Sequence, residues 1–259
     1  MNPSQRTLAL TIAYDGAPFA GFARQEGLDT VQGRVEDALR VVLRRDVETV
    51  GAGRTDAGVH ALGQVVSTPL DEELDLAATA RSLSALVGKR IAVREARLAR
   101  PGFSARFDAL SREYRYRLAC GPVPPLFTRD VSWWVKREVD EDAMRESALP
   151  LLGEHDFRSF CVADSAEGKR TIRRLDEIEI FEETQLGERL IVVRIVGNAF
   201  LHSMVRVIVG TLVEVGSGRR DPAWTEEALE ARDRSAAGAT APAQGLTLWS
   251  VEYPSAVWL

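Results

Sequence analysis

Twice along this chain a two-residue hydrophobic period gives way to a 3.6-residue one in the same order, and that repetition limits the available folds more than any other feature. In "TLALTIAY" (7–14) alternation puts Leu8, Leu10, Ile12 and Tyr14 on one face of a strand. "TVQGRVEDALRVVLRR" (30–45) then gathers Val31, Val35, Leu39, Val42 and Leu43 on one helical stripe. Short strands around 48–52 and 63–68, a helix near 73–87 and the strand "IAVREARLA" (91–99) complete the first half. The second half repeats the order. "SREYRYRLAC" (111–120) is a strand, 140–152 a helix, and "RRLDEIEIF" and "RLIVVRIV" are strands. "FLHSMVRVIVGTLVEVG" (200–216) is a helix and "GLTLWSVEY" (245–253) a last strand. Each half is β-α-β-β-α-β, the ferredoxin-like split unit, so the predicted class is α+β. "RPGFSARF" breaks both periodicities and marks the join, giving an N-terminal half over 1–107 and a C-terminal half over 108–259.

Composition narrows the chemistry. With 259 residues, 45% apolar and 27% charged, the chain can bury a sizeable core as an ordinary globular protein. No apolar run approaches the roughly 20 residues of a membrane span, and the alternating N-terminus lacks a signal-peptide layout, so the expected location is cytoplasmic. Cys120 and Cys161 form neither a disulfide framework nor a metal knuckle, and His60, His155 and His202 share no ligand spacing. Glycine-rich nucleotide loops are missing too, so no metal and no cofactor is expected. The net charge of −5 gives no global sign of a polyanionic partner. Arginines nevertheless crowd 97–118 and 169–174, and one basic face could hold a polyanion.

Three stretches could carry chemistry. In "VGAGRTDAGVHALGQVV" (50–66), Asp56 follows Arg54 and Thr55. Thr, Asp and Gly favour turns, and most such loops do no chemistry. An adjacent cation, however, keeps a carboxylate ionised, and a positioned carboxylate can act as a nucleophile. His60 reads as structural. Within the apolar 200–216 helix, Arg206 needs an anionic partner unless it snorkels to the surface along its stem. In "REYRYRL", alternation puts Arg112, Tyr114, Tyr116 and Leu118 on one face and Arg115 and Arg117 on the other. Such a face suits cross-strand packing, and equally base stacking with phosphate contacts from arginine.

The run "GRTDAGVHA" (53–61) followed by "GQVV" resembles the catalytic motif of the bacterial tRNA pseudouridine synthase A family. "YDGAPFAGFARQ" (14–25), "TVQGRVEDAL" (30–39), "FSARFDALSREYRY" (103–116), "LLGEHDFRSFC" (151–161), "GNAFLHSMVRVIVG" (197–210) and "GLTLWSVEYP" (245–254) match it in the same order, over essentially the whole chain. The resemblance implies two α/β halves joined through one extended antiparallel sheet with helices packed on it, a positively charged cleft between the halves, and a homodimer. It implies isomerisation of uridine to pseudouridine in the anticodon arm of tRNA (positions 38, 39 and 40) without cofactor or metal. Asp56 matches the catalytic aspartate, Tyr114 the tyrosine that stacks on the target base, and Arg206 the arginine that pairs with the aspartate. Arg54 matches an arginine that holds the flipped-out nucleotide. Arg112, on the Tyr114 face, is the expected phosphate contact. The chain departs from the family at Ser104, where His is common, and in "VADSAEG" (162–168), which matches no family pattern.

Two other classes compete. A non-catalytic RNA-binding chaperone of the same fold would keep the surface without the chemistry, and intact Asp56, Tyr114 and Arg206 argue against it. A glycosidase needs a second carboxylate at a defined separation from Asp56, and the motif offers none nearby in sequence.

Overall fold

The computed structural model describes residues 6–162, 168 and 170–259. Most of the segment 162–168, and Lys169 with it, lies outside the described residues. The architecture is mixed α+β, with ten strands and five α-helices among the described residues. The chain divides into two compact units, one of residues 1–112 with 248–259, the other of residues 113–247.

The first unit follows the predicted order closely. It contains β1 (Arg6–Tyr14), α1 (Val31–Leu43), β2 (Val50–Gly51), β3 (His60–Leu70), α2 (Leu76–Leu86) and β4 (Ile91–Ala99). Its strands pair in the order β4-β1-β3, with β2 on β3. Thr30 caps α1 by accepting from the Gly33 N–H, and Asp75 caps α2 by accepting from that of Ala78. The α1 stripe buries Val31, Val35, Leu39 and Leu43 as expected, with Val42 half-buried. Glu36 is buried too, which periodicity does not anticipate. Its carboxylate accepts from the Thr49 N–H at 2.9 Å, Gln32 Nε2 at 3.2 Å and Arg24 Nη1 at 3.2 Å. A buried carboxylate is tolerated here because its lone pairs are satisfied.

Alternation predicted one buried face for β1, yet Leu8, Ala9, Leu10, Ile12, Ala13 and Tyr14 are all buried. The second face packs in a separate cluster of Ala9, Ala52, Val65, Ala99, Phe103, Ala105 and Val257, with Tyr253 and Trp258 against it. The segment 254–259 is tied there by the Arg100 N–H to the Val257 carbonyl at 2.8 Å and the Leu259 N–H to that of Leu98 at 3.1 Å.

The second unit holds β5 (Ser111–Cys120), β6 (Trp133–Val135), α3 (Glu141–Ala148), β7 (Gly153–Asp156), β8 (Ile172–Gln185), β9 (Glu188–Gly197), α4 (Met204–Gly216) and α5 (Trp224–Ala231). The last strand, β10, is Leu246–Glu252, and the division between units falls within β5 and within β10. Strands pair in the order β5-β9-β8-β7, and β6 runs parallel to β5. The helix expected over 140–152 stops at 148 and tightens into a 3-10 turn over Leu149–Leu151. Pro150 has no N–H for the α-helical ladder, which explains the stop. The helix expected over 200–216 starts at Met204, because Ser203 adopts a left-handed conformation with φ 59°. From there α4 is buried nearly all round, leaving Arg206 and Glu214 only half-buried.

The candidate active site

Asp56 sits in the loop between β2 and β3, and the segment 14–22 braces that loop from several directions. The Tyr14 hydroxyl meets Thr55 Oγ1 at 2.8 Å. The Phe22 N–H donates to the Thr55 carbonyl at 3.0 Å, and the Val59 N–H closes the turn on the Asp56 carbonyl at 3.2 Å. Gly16 lies so close that a Cβ there would fall 2.0 Å from the Val59 carbonyl oxygen. Gly21, at φ +102°, backs onto the Thr55 carbonyl with space for no more than a tight 3.1 Å contact. Burial pushes the Tyr14 hydroxyl up to about 12, with its hydrogen bond to Thr55 opposing, so Tyr14 stays neutral.

The result is a fixed backbone with Thr55 and Val59 buried, Asp56 half-buried and Arg54 exposed. His60 is 7% exposed, and its Nδ1 accepts the Gly16 N–H at 3.1 Å. An accepting Nδ1 leaves the ring proton on Nε2, so the 3.3 Å approach of Asp15 to the same nitrogen is no ion pair while the ring is neutral. Asp15 pairs instead with Arg90. His60 is therefore a structural acceptor under the 14–22 segment.

Arg112 departs from its expected role. It does share the buried face of β5 with Tyr114, Tyr116 and Leu118. Its guanidinium, however, turns inward at 8% exposure instead of outward toward a phosphate. Nη2 donates to the Arg106 carbonyl at 2.6 Å and the Ala52 carbonyl at 3.0 Å, and Nη1 reaches the Ala109 carbonyl at 3.4 Å. Arg112 thereby ties the stem of the Asp56 loop to the turn over 104–110. Ser104 belongs to that turn, its Oγ accepting the Phe107 N–H at 3.4 Å.

In the second unit, Tyr114 is buried to 7% exposure, with its ring edge-on to Phe200 at 5.0 Å and 78°. Tyr116 is fully buried and donates its hydroxyl to the Pro242 carbonyl at 2.7 Å. Gly245 is required against that ring, since a Cβ would lie 2.5 Å from Tyr116 Cζ. Arg206 Nε donates to the Ala241 carbonyl at 2.8 Å, and the Ala241 N–H returns to the Arg206 carbonyl at 3.1 Å. Gly210 lets residue 239 lie against α4, where a Cβ would meet its carbonyl oxygen at 1.8 Å. The segment 239–245 thus orients both Arg206 and Tyr116.

Much of the expected basic charge is neutralised locally. Arg115 pairs with Glu113 at 2.7 Å, Arg117 lies 3.7 Å from Glu183, and Arg174 pairs with Asp176 at 2.7 Å. Arg173 donates to the Arg170 and Ile172 carbonyls, and burial holds its guanidinium below the usual range. Sequence reasoning missed Phe200, Ala241 and the bracing residues Tyr14, Gly16, Gly21 and Phe22. The last four lie in the run "YDGAPFAGFARQ", which matched the family without showing what these residues brace. Among the described residues no cluster of three His, Cys, Asp or Glu side chains could hold a metal, and no helix is long and apolar enough to cross a membrane.

A braced loop carboxylate in one unit and an oriented tyrosine and arginine in the other accompany a family likeness over the C-terminal part. Residues 148–254 match the family model described as tRNA pseudouridine synthase. Whole-chain relatives extend it. A tRNA pseudouridine synthase A of Frankia casuarinae is 44% identical over 250 residues, covering 95% of this chain and 89% of the relative. That of Brevibacillus brevis is 43% identical, covering 96% and 100%, and that of Bacillus subtilis 41%, covering 95% and 98%. The chain belongs to the tRNA pseudouridine synthase A family.

Proposed function

We propose that this chain isomerises uridine to pseudouridine in tRNA, at positions 38, 39 and 40 of the anticodon arm, with Asp56 as nucleophile. The observation that supports it most is the Asp56 loop, a half-buried carboxylate on a backbone braced by Tyr14, Gly16 and Phe22, beside exposed Arg54. In the reaction the N1–C1′ bond breaks, the uracil turns, and C5 bonds to C1′. C5 loses its proton and N1 gains one, so the composition is unchanged. The target base must leave its stack, because its reacting carbons are inaccessible within it. In this reading Arg54 holds the flipped nucleotide, and Tyr114 and Arg206 contact the substrate. Arg112 serves by fixing the loop that carries Asp56.

Catalysis without a cofactor, a homodimer and cytoplasmic placement are parts of the same reading. So is the division of roles between an N-terminal half (1–107) with the Asp56 loop and a C-terminal half (108–259) with Tyr114 and Arg206. A ferredoxin-like arrangement of the first half is supported by its order β4-β1-β3 with β2 on β3.

Tritium release from C5-labelled uridine in tRNA tests the activity directly. Wild type is expected to release label. Asp56→Asn is expected to fold and bind tRNA yet release none, since an amide is nearly isosteric but a poor nucleophile. Residual turnover above about one per cent would refute the nucleophile assignment, because losing such a group usually costs several orders of magnitude.

A further inference from the structure

We infer that Phe107, with Arg106 against its ring, is a stacking platform for a base of the RNA substrate other than the target uridine; this rests on the function proposed above. Phe107 is 80% exposed. Single exposed apolar side chains are common on protein surfaces, so exposure alone carries little. Three further observations separate this one.

The first is the ring's companion. The Arg106 guanidinium carbon lies over the ring, 5.4 Å from its centroid, and Arg106 is itself exposed. A π face and a planar cation side by side form a surface that accepts any base by stacking and attracts the phosphate attached to it.

The second is rigidity. Asp108 accepts from Arg100 Nη2 at 2.7 Å and from the Ser104 N–H at 2.7 Å, while its own N–H returns to the Ser104 carbonyl at 3.1 Å. Ala105 is pinned on both sides, its N–H to Ser67 Oγ at 3.0 Å and its carbonyl to the Tyr253 hydroxyl at 2.7 Å. The turn therefore presents Phe107 on a fixed backbone, which reduces the ordering cost of binding.

The third is place. Arg112 Nη2 donates to both the Arg106 and the Ala52 carbonyls, so the backbone beside Phe107 and the stem of the Asp56 loop share one nitrogen. Both loops lie in the first unit, and the exposed Arg54 belongs to the same loop as Asp56. A nucleotide near the target in the RNA is thus within the neighbourhood of this ring. Stacking tolerates any base, which suits an enzyme that must place uridines of differing sequence context.

The test measures binding of an anticodon stem-loop RNA by Phe107→Ala, Phe107→Leu and Phe107→Trp, with melting temperature and native mass as controls. Phe107→Ala is expected to weaken binding by roughly 5- to 150-fold, the range that alanine substitution of a base-stacking ring gives. Phe107→Leu is expected to lose nearly as much despite its apolar bulk, and Phe107→Trp to retain wild-type affinity within about threefold. RNAs carrying one abasic residue at each loop position in turn should reveal a position at which wild type and Phe107→Ala bind equally. Unchanged affinity in Phe107→Ala, or full affinity in Phe107→Leu, overturns the inference. So does a fall in native mass in Phe107→Ala, which assigns the ring to a second copy of the chain. If wild type modifies tRNA in the tritium assay, these outcomes refute the platform alone. If wild type neither binds nor modifies tRNA, the proposed function fails and takes the platform with it.

Discussion

Replacing Arg112 by alanine should unfasten the Asp56 loop from the 104–110 turn, and the cost follows from its contacts. Among its described bonds, those at 2.6 Å and 3.0 Å to the Arg106 and Ala52 carbonyls are well formed, whereas that at 3.4 Å to Ala109 contributes little. Hydrogen bonds from a charged donor are worth about 1.5–3 kcal/mol each, so losing two costs about 3–5 kcal/mol after some rehydration of the freed carbonyls. For a chain of this size each kcal/mol moves the midpoint by about 2–4 °C, giving a predicted fall of roughly 6–20 °C. Arg112→Lys should recover little, since the shorter lysine stem leaves its ammonium short of the point where Nη2 meets both carbonyls. Arg34→Ala is the control. Arg34 pairs with Asp29 at 2.7 Å with both side chains about half exposed, and its loss should cost no more than about 1 kcal/mol. Thermal melting checks these values. Because the Arg112 charge is turned inward, the slope of log affinity for tRNA against log salt should stay that of wild type. A midpoint for Arg112→Ala within about 2 °C of wild type would refute the brace. So would a slope flattened by about one unit, which would return Arg112 to a phosphate contact.

Gly16→Ala should displace the Asp56 loop, because the new Cβ would lie 2.0 Å from the Val59 carbonyl; tritium release should collapse while the second unit's amide exchange stays unchanged. Tyr114→Phe should bind RNA nearly as wild type, whereas Tyr114→Ala should lose roughly 1–3 kcal/mol; equal damage from both would assign the role to the hydroxyl. Glu188 accepts from the Leu126, Phe127 and Thr128 N–H groups and from Thr128 Oγ1, which hold its carboxyl down to about 2, the Thr128 side chain foremost. Its contribution is therefore complete above the ordinary glutamate range and is lost as pH falls toward about 2. Hydrogen exchange at 126–128 should accelerate over that window in wild type and be already fast at neutral pH in Glu188→Gln. Equal protection in the two proteins would exclude the clamp.

Where a local period decided burial, the sequence was readable. The α1 stripe and the all-apolar α4 needed no partner to be recognised, since helical spacing alone distinguishes a face from a cylinder. The face shared by Arg112 and Tyr114 followed from alternation as well. What alternation could not say was what that face looked at. The direction of the Arg112 guanidinium is set by Ala52, sixty residues away in the chain, and a two-residue period holds no information about so distant a carbonyl. Glu36 went unnoticed for the same reason, because its acceptors' partners Arg24 and Thr49 come from other elements. The three-residue β6 and four-residue β7 are too short to show any period. Asp56 was legible as a candidate from its motif, but the glycines that let 14–22 press against its loop acquire meaning only through the contacts a Cβ would make.

The strap formed by residues 254–259 bears on how the protein is made. Val257 and Trp258 complete the second core of the first unit, yet 113–247 must be synthesised before they exist. At ~5–20 residues per second that interval is roughly 7–27 s, during which Ala9, Val65, Ala99 and Phe103 lack their cover. The Asp56 loop and the turn braced by Arg112 both border this core through Ala52 and Ala105. A nascent chain would therefore carry the Asp56 loop for many seconds in an unfinished unit, whose second core closes only once residues 254–259 arrive.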